Sequence, residues 1–206
     1  DDLAAAQRIF DDELSSDLPF VNDMCATVRS YRGKMLRPAL LLLSARATGD
    51  LNAAHHTVAA VVEMVHMATL VHDDVLDGAE HRRKKPTIAA TDGNTAAVLL
   101  GDYLISHAFH LCSSLPHTHA SRRIGAITNI VCEGELMQNC RRGDLGLTER
   151  DYLEIVKRKT AVLTAVSCEL GAHLAGADSR VIKSMYVFGE QAGIAFQIVD
   201  DVLDLI

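Results

Sequence analysis

Long segments with the period of an amphipathic helix, and no stretch that alternates as a strand does, constrain this 206-residue chain more than any other feature. Pro38 suits the first turn of a helix running through "ALLLLSARATG", which Gly49 can end. Asp50 or Asn52 can cap the next helix, from about residue 52 to Asp77, stopped near Gly78. "TAAVLLGDYLISHAFHLCSSL" gives another, closed by Pro116. Residues 121–140 give a further helix, and Thr148, three residues before Asp151, resembles a weak capping box that restarts the chain. Residues 151–175 and 179–205 supply two more. Several of these segments are apolar around most of their circumference, as the central helices of a large all-α bundle must be. No linker interrupts the pattern, so a single domain over residues 1–206 is expected.

Composition agrees and removes several function classes. Hydrophobic residues at 49% and charged residues at 23% exclude a disordered chain, and the absence of Trp with 4% aromatic residues favours helix over strand. A net charge of −7 argues against a general nucleic-acid binder. Cys25, Cys112, Cys132, Cys140 and Cys168 are odd in number and form no CxxC pair, which disfavours disulfide scaffolds and zinc sites and points to a reducing cytoplasm. His55–His56 and His117–x–His119 lie at spacings unhelpful for a metal and are expected to be solvated. No apolar run reaches transmembrane length, and no signal peptide opens the chain.

The string DDVLD occurs twice, each time closing an apolar segment: Asp73, Asp74 and Asp77, then Asp200, Asp201 and Asp204. On a helix, aspartates four residues apart share a face, and their repulsion costs a few tenths of a kcal/mol, on the order of 0.2–0.5, per pair. A divalent cation resolves the conflict. Hard oxygen donors with room for water suit Mg²⁺, which usually takes one or two carboxylates plus substrate phosphate. A single such string is as readily an acidic helix end facing water, but two copies in the same context make coincidence much weaker. The Gly and Glu of a calcium EF-hand are missing, as are the Glu-x-x-His pairs of a di-iron bundle.

Cations that could meet a magnesium-bridged diphosphate stand close by in sequence. Arg82 and Arg83 follow the first string, with Lys84 and Lys85 after them, and "RGKMLRP" offers Gly33, Lys34 and Arg37 ahead of a helix. Arg forks two phosphate oxygens, Lys supplies a point charge, and Gly lets backbone approach the anion. Lys84, Lys85 and Arg32 are better read as solvated surface charge.

"GKMLRP", "HDDVLDGAEHRRKKPT", "GDYLISHAF", "EGELMQ", "KTA" and "FQIVDDVLD" follow the order found in trans-polyprenyl diphosphate synthases. From about residue 30 onward the chain resembles that family, most of all its medium- and long-chain, octaprenyl-type members. The resemblance implies the type I isoprenoid synthase fold and a homodimer. It implies that Asp73, Asp74, Asp77, Asp200, Asp201 and Asp204 hold Mg²⁺ on an allylic diphosphate, which Arg82, Lys159, Thr160 and Gln197 also contact. Gly33, Lys34, Arg37, His66 and Arg83 would bind the diphosphate of isopentenyl diphosphate. His66, Thr69, Asp73 and Asp77 succeed one another by three or four residues and so lie near one helix face, which favours a substrate contact for His66 over a plain core role. Gln138 is explained equally well by an interhelical hydrogen bond. The chain departs from the family pattern at Arg32, Lys84 and Asp92 without losing a proposed ligand. Family members continue beyond the second acidic helix, so the domain is expected to lack its C-terminal helices.

The implied reaction is head-to-tail elongation of an allylic diphosphate by isopentenyl diphosphate, with contact to a membrane only peripheral, at product release. The product is expected to grow from the metal back past Thr69, Ala68, Val65 and Val62; short-product relatives carry aromatic rings at the positions matching Ala68 or Thr69, both small here, and Phe109 is a candidate deeper floor. At 1.5 Å rise per residue the stretch from Asp73 to Val62 takes about three isoprene units beyond the reacting one before any floor, and a medium- to long-chain product of about six to ten units is expected. A short-chain synthase and a non-catalytic partner subunit are the alternatives. A cyclising terpene synthase has no use for the second diphosphate site that Lys34, Arg37 and Arg83 suggest.

Overall fold

The structure, a computed structural model, describes residues 2–205. The chain runs α1 (Asp2–Glu13), α2 (Pro19–Ser30), α3 (Leu36–Thr48), α4 (Ala53–Leu76), β1 (His81–Arg82), β2 (Lys85–Pro86), α5 (Ile88–Asp92) and α6 (Asn94–Ser113). It continues through α7 (His119–Cys140), α8 (Glu149–Val156), a π-helical turn (Lys157–Ala161), α9 (Val162–Leu174) and α10 (Ser179–Leu203). The all-α expectation holds, and the helix ends fall close to the punctuation in the sequence. Asn52 accepts from Ala54 N–H at 3.0 Å, Thr148 Oγ1 from Asp151 N–H at 3.1 Å, and Asp178 Oδ1 from Arg180 N–H at 2.8 Å. Each satisfies a backbone donor that the first helical turn would leave unpaired.

The chain sorts into two compact units: one comprises residues up to Pro38 and His56–Pro116, the other Ala39–His55 and residues from His117 onward. In the first, α4 is buried on nearly every side from Val58 to Val71, and α6 contributes the stripe Ala97, Leu100, Gly101, Leu104 and Ala108. In the second, every residue of α9 from Val162 to Ala172 is buried, with contacts to α7 and α10 on either side. A helix apolar all round can be stable only in such a place. Glycines bring the helices of this unit together at backbone distance. A Cβ on Gly193 of α10 would lie 2.6 Å from Ala161 Cα, and one on Gly189 would lie 2.7 Å from Thr164 O.

Four expectations are corrected. First, β1 and β2 pair antiparallel, His81 with Pro86 and Arg82 with Lys85. Strands of two residues are too short to show alternation. The turn between them puts Arg83 at φ 51° and Lys84 at φ 66°, the left-handed pair that a two-residue hairpin turn requires. Lys84 holds that conformation against a penalty of about 1–2 kcal/mol for a residue with a Cβ. Lys84→Gly is therefore expected to raise the melting temperature by about 2–4 °C, and an unchanged or lower value would contradict the strain.

Second, the helix expected over 151–175 is broken by the π-helical turn, which admits one extra residue per turn beside Gly134 of α7. Third, His55 is fully buried rather than solvated: its Nδ1 accepts from Asn52 N–H at 3.0 Å, and its Nε2 lies 3.2 Å from Gly171 O. His56 Nε2 lies 3.1 Å from Asp2 Oδ1, and His119 stacks on His173 with ring centroids 3.8 Å apart, leaving His117 as the exposed member. Fourth, Arg32 is not a free surface charge: it bonds Asp11 at 2.5 and 3.3 Å, and its guanidinium lies 4.7 Å from the centre of the Phe10 ring. Among the described residues, no helix is long and apolar enough to cross a membrane.

Candidate active site

In the first unit, α4 delivers its acidic string at its C-terminal end. The helix stops at Leu76, yet Asp77 N–H still donates to Asp73 O at 2.8 Å, so the two aspartates keep one-turn spacing. Gly78 then takes φ 62° and Ala79 N–H returns to Asp74 O at 2.9 Å, closing the helix. The three carboxylates divide by exposure. Asp74 is buried and receives Arg82 Nε and Nη2 on Oδ1, each at 2.8 Å, whereas Asp73 is half-buried and Asp77 exposed.

The hairpin after this string carries the cations. Tyr31, fully buried, donates from its hydroxyl to Pro86 O at 2.7 Å, and Thr87 Oγ1 donates to Ala79 O at 2.7 Å, fixing both ends of the excursion. A Cβ on Gly33 would meet the guanidinium of Arg83, so the far end of that side chain lies against the backbone of Gly33. Arg37, half-buried at the start of α3, has its guanidinium pushed down by burial and held up by Glu63. His66 is driven well below the usual imidazole range, first by burial and then by the charges of Arg37, Arg83 and Arg82. It is therefore neutral at pH 7, and the same charges place these four residues in one electropositive region. Lys34 is exposed. Glu63 was not singled out in the sequence. Burial raises its carboxyl, and Arg37, Arg32 and Arg83 oppose that rise. A lone acid in the apolar run "VAAVVEMVHMATL" was the available signal.

The candidate chain-length residues lie along the same helix. Ala68, Val65 and Val62 are buried, and Thr69 Oγ1 donates to His66 O at 2.8 Å. Phe109, on α6, is 36% exposed.

In the second unit, Gly189 and Gly193 let α10 approach α9 and the π-helical turn closely enough to link three candidate residues. Thr160 Oγ1 donates to Gln197 Oε1 at 2.9 Å, and Gln197 Nε2 donates to Asp201 Oδ1 at 2.8 Å. Tyr152, another residue not anticipated, donates from its hydroxyl to Asp201 Oδ2 at 2.5 Å. Burial first, and then that bond, push its phenol up to about 12. Lys159 Nζ lies 2.9 Å from Glu135 Oε2. Asp200 and Asp204 are exposed, and Asp204 N–H donates to Asp200 O at 3.1 Å. Gln138 is also exposed. Among the described residues, no group of three or more His, Cys, Asp or Glu gathers as a self-sufficient metal cluster.

Residues 19–206 match the family model described as polyprenyl synthetase, a match that starts earlier than the motifs alone indicated. Heptaprenyl diphosphate synthase component 2 of Bacillus subtilis is 39% identical over 205 residues, 99% of this chain and 59% of that protein. Octaprenyl diphosphate synthase of Escherichia coli is 36% identical over 203 residues, 98% of this chain and 63% of that protein. The chain thus spans about three-fifths of the length of these relatives. A polyprenyl synthase from Caulobacter crescentus, crystallised with calcium and isoprenyl diphosphate, superposes with a TM-score of 0.95 at 36% identity, over 98% of this chain and 62% of that one. A decaprenyl diphosphate synthase from Rhodobacter capsulatus gives the same score and identity over 98% and 63%. The fold is the all-α isoprenoid synthase fold, and the chain belongs to the polyprenyl synthetase family.

Proposed function

We propose that the protein is a trans-prenyltransferase that adds isopentenyl diphosphate head-to-tail to an allylic diphosphate, giving a medium- or long-chain polyprenyl diphosphate. The observation that carries this reading is the surplus of cations in the first unit. Arg82 is committed to Asp74 in the first acidic string, and Arg37 and Arg83 add two further guanidiniums to the electropositive region around neutral His66. An enzyme handling one diphosphate has no need of so many; condensation of two diphosphates uses them all.

The exposed or half-buried pairs Asp73/Asp77 and Asp200/Asp204 offer hard oxygen donors at one-turn spacing, with solvent access that lets a small divalent cation keep part of its water. Those donors fit Mg²⁺, which needs no complete protein cage. When bound, the ion supplies Lewis-acid stabilisation of the departing diphosphate. Arg82, Lys159, Thr160 and Gln197 contact the allylic diphosphate and stabilise its charge as the C–O bond breaks. Gly33, Lys34, Arg37, His66 and Arg83 hold isopentenyl diphosphate so that its alkene attacks the allylic cation. Proton loss to the released diphosphate then restores an allylic product. The buried wall at Ala68, Val65 and Val62 excludes water that would quench the cation. The small side chains of Ala68 and Thr69 favour a long product, and Phe109 remains its candidate floor. The chain works as a homodimer in a reducing cytoplasm, in keeping with its free cysteines.

Incubation with labelled isopentenyl diphosphate, with and without an allylic primer, tests this reading. Magnesium-dependent polyprenyl products that need both substrates support it. Primer cyclisation without isopentenyl diphosphate overturns it. A second reading rests on the name of the Bacillus relative, a "component 2", and makes the chain one subunit of a synthase that needs a further component. Turnover by the purified chain alone excludes that requirement.

The two arginines are expected to behave differently. Arg83→Ala should raise KM for isopentenyl diphosphate more than for the primer and leave stability within about 0.5 kcal/mol. Arg82→Ala should affect the primer and also destabilise the protein, because it strands buried Asp74, a loss on the order of 3 kcal/mol. Equal KM effects on both substrates from Arg83→Ala would break the assignment.

A further inference from the structure

We propose that Tyr152 is a positioning residue for Asp201, its hydroxyl fixing the carboxylate in the orientation that receives Mg²⁺. The inference rests on the prenyltransferase reading above. An aspartate at the end of a helix ordinarily turns freely about its terminal torsion, whose wells are broad. Asp201 does not have that freedom. Gln197 Nε2 donates to Oδ1 at 2.8 Å and Tyr152 OH donates to Oδ2 at 2.5 Å, so one donor grips each oxygen. The second bond has the length of a charge-assisted O–H···O⁻ contact.

The network also has a direction. Thr160 Oγ1 donates to Gln197 Oε1, which orients the amide so that its NH₂ faces Asp201. A carboxylate has about four lone-pair sites, and these two bonds occupy two, leaving acceptor capacity on both oxygens. Asp74 in the other acidic string is held differently, by Arg82. A guanidinium offsets the carboxylate charge, whereas a phenol and an amide restrain Asp201 and leave that charge whole. Asp201 is thereby kept as a strong hard ligand with a fixed plane, as outer-shell hydrogen bonds do for carboxylates in metal sites.

Tyr152 is delivered by α8, whose first turn is capped by Thr148; Tyr152 N–H itself donates to Thr148 O at 3.0 Å. This permits a control. If Tyr152 merely clamped α8 to α10, loosening α8 by another route would reproduce its loss.

The test compares Tyr152→Phe, Thr148→Ala and Asp201→Asn in the full chain. Two readouts are taken: Mg²⁺ dependence of turnover at saturating substrates, and Mn²⁺ titration followed by electron paramagnetic resonance. Tyr152→Phe is expected to weaken both metal affinities by about 10–100-fold while kcat at saturating Mg²⁺ stays within about threefold. Thr148→Ala should lower the melting temperature by about 2–4 °C and leave both affinities unchanged. If Tyr152→Phe binds both ions as the wild type does while Asp201→Asn loses them, the proposal is wrong and the functional reading stands. Equal shifts in Tyr152→Phe and Thr148→Ala would reduce the hydroxyl to a clamp and also overturn it. A wild type that neither binds Mn²⁺ nor condenses the two substrates overturns the functional reading, and this inference with it.

Discussion

Asp73→Ala and Asp200→Ala are each expected to lower prenyl transfer by at least about a thousandfold, since loss of Lewis-acid stabilisation worth several kcal/mol removes about a decade of rate per 1.4 kcal/mol. The helical fold should survive both changes. Asp200 is exposed, and each substitution removes a like charge one turn from another, a relief on the order of 0.2–0.5 kcal/mol. Asp74→Ala should differ in kind. That carboxylate is buried against Arg82, so its loss costs stability on the order of 3 kcal/mol as well as activity. Circular dichroism separates the two classes, and steady-state turnover with magnesium measures the first. Wild-type rates in Asp73→Ala or Asp200→Ala would remove the metal assignment from that string.

Gly171→Val is expected to be the most damaging change away from the acidic strings. Gly171 lies in the buried run of α9, and a Cβ there would collide with the carbonyl oxygen of Leu41 on α3. Its own carbonyl lies 3.2 Å from the Nε2 of buried His55. Removing a glycine from a helix interior normally helps by about 0.5–1 kcal/mol, but overpacking costs about 1–3 kcal/mol and a stranded histidine about 1–3 more. The net is a loss of about 3 kcal/mol, or about 6–12 °C in melting temperature for a chain of this size. A thermal melt decides it, and a variant as stable as the wild type would mean that α3 and α9 have room to spare.

What the sequence revealed follows from the range over which each signal acts. Helix period, the Thr148 cap and the stop at Gly78 depend on residues within a turn or two, and they survive in the structure almost residue for residue. Arg32 and His55 were misjudged because their partners, Asp11 and Gly171, lie 21 and 116 residues away. Tyr152 escaped notice for the same reason, since Asp201 is 49 residues further on. The hairpin escaped because two residues cannot display a period of two. The acidic strings were legible because repulsion between neighbouring carboxylates is a local conflict, visible without a fold.

The π-helical turn at Lys157–Ala161 has a consequence for how this chain tolerates length change. Each residue of an α-helix advances the side-chain direction by about 100°, so a regular helix carries one phase from end to end. The wide turn resets that phase between α8 and α9. Deleting a single residue within it would restore an unbroken α-helix and, in doing so, rotate α8 by about a quarter turn relative to α9. With the deletion made ahead of Thr160, Tyr152 would then leave Asp201, while Thr160, at the α9 end of the turn, kept its bond to Gln197. The irregularity acts as a vernier: one surplus residue sets the angular register between a buried helix and the short helix that serves the second acidic string.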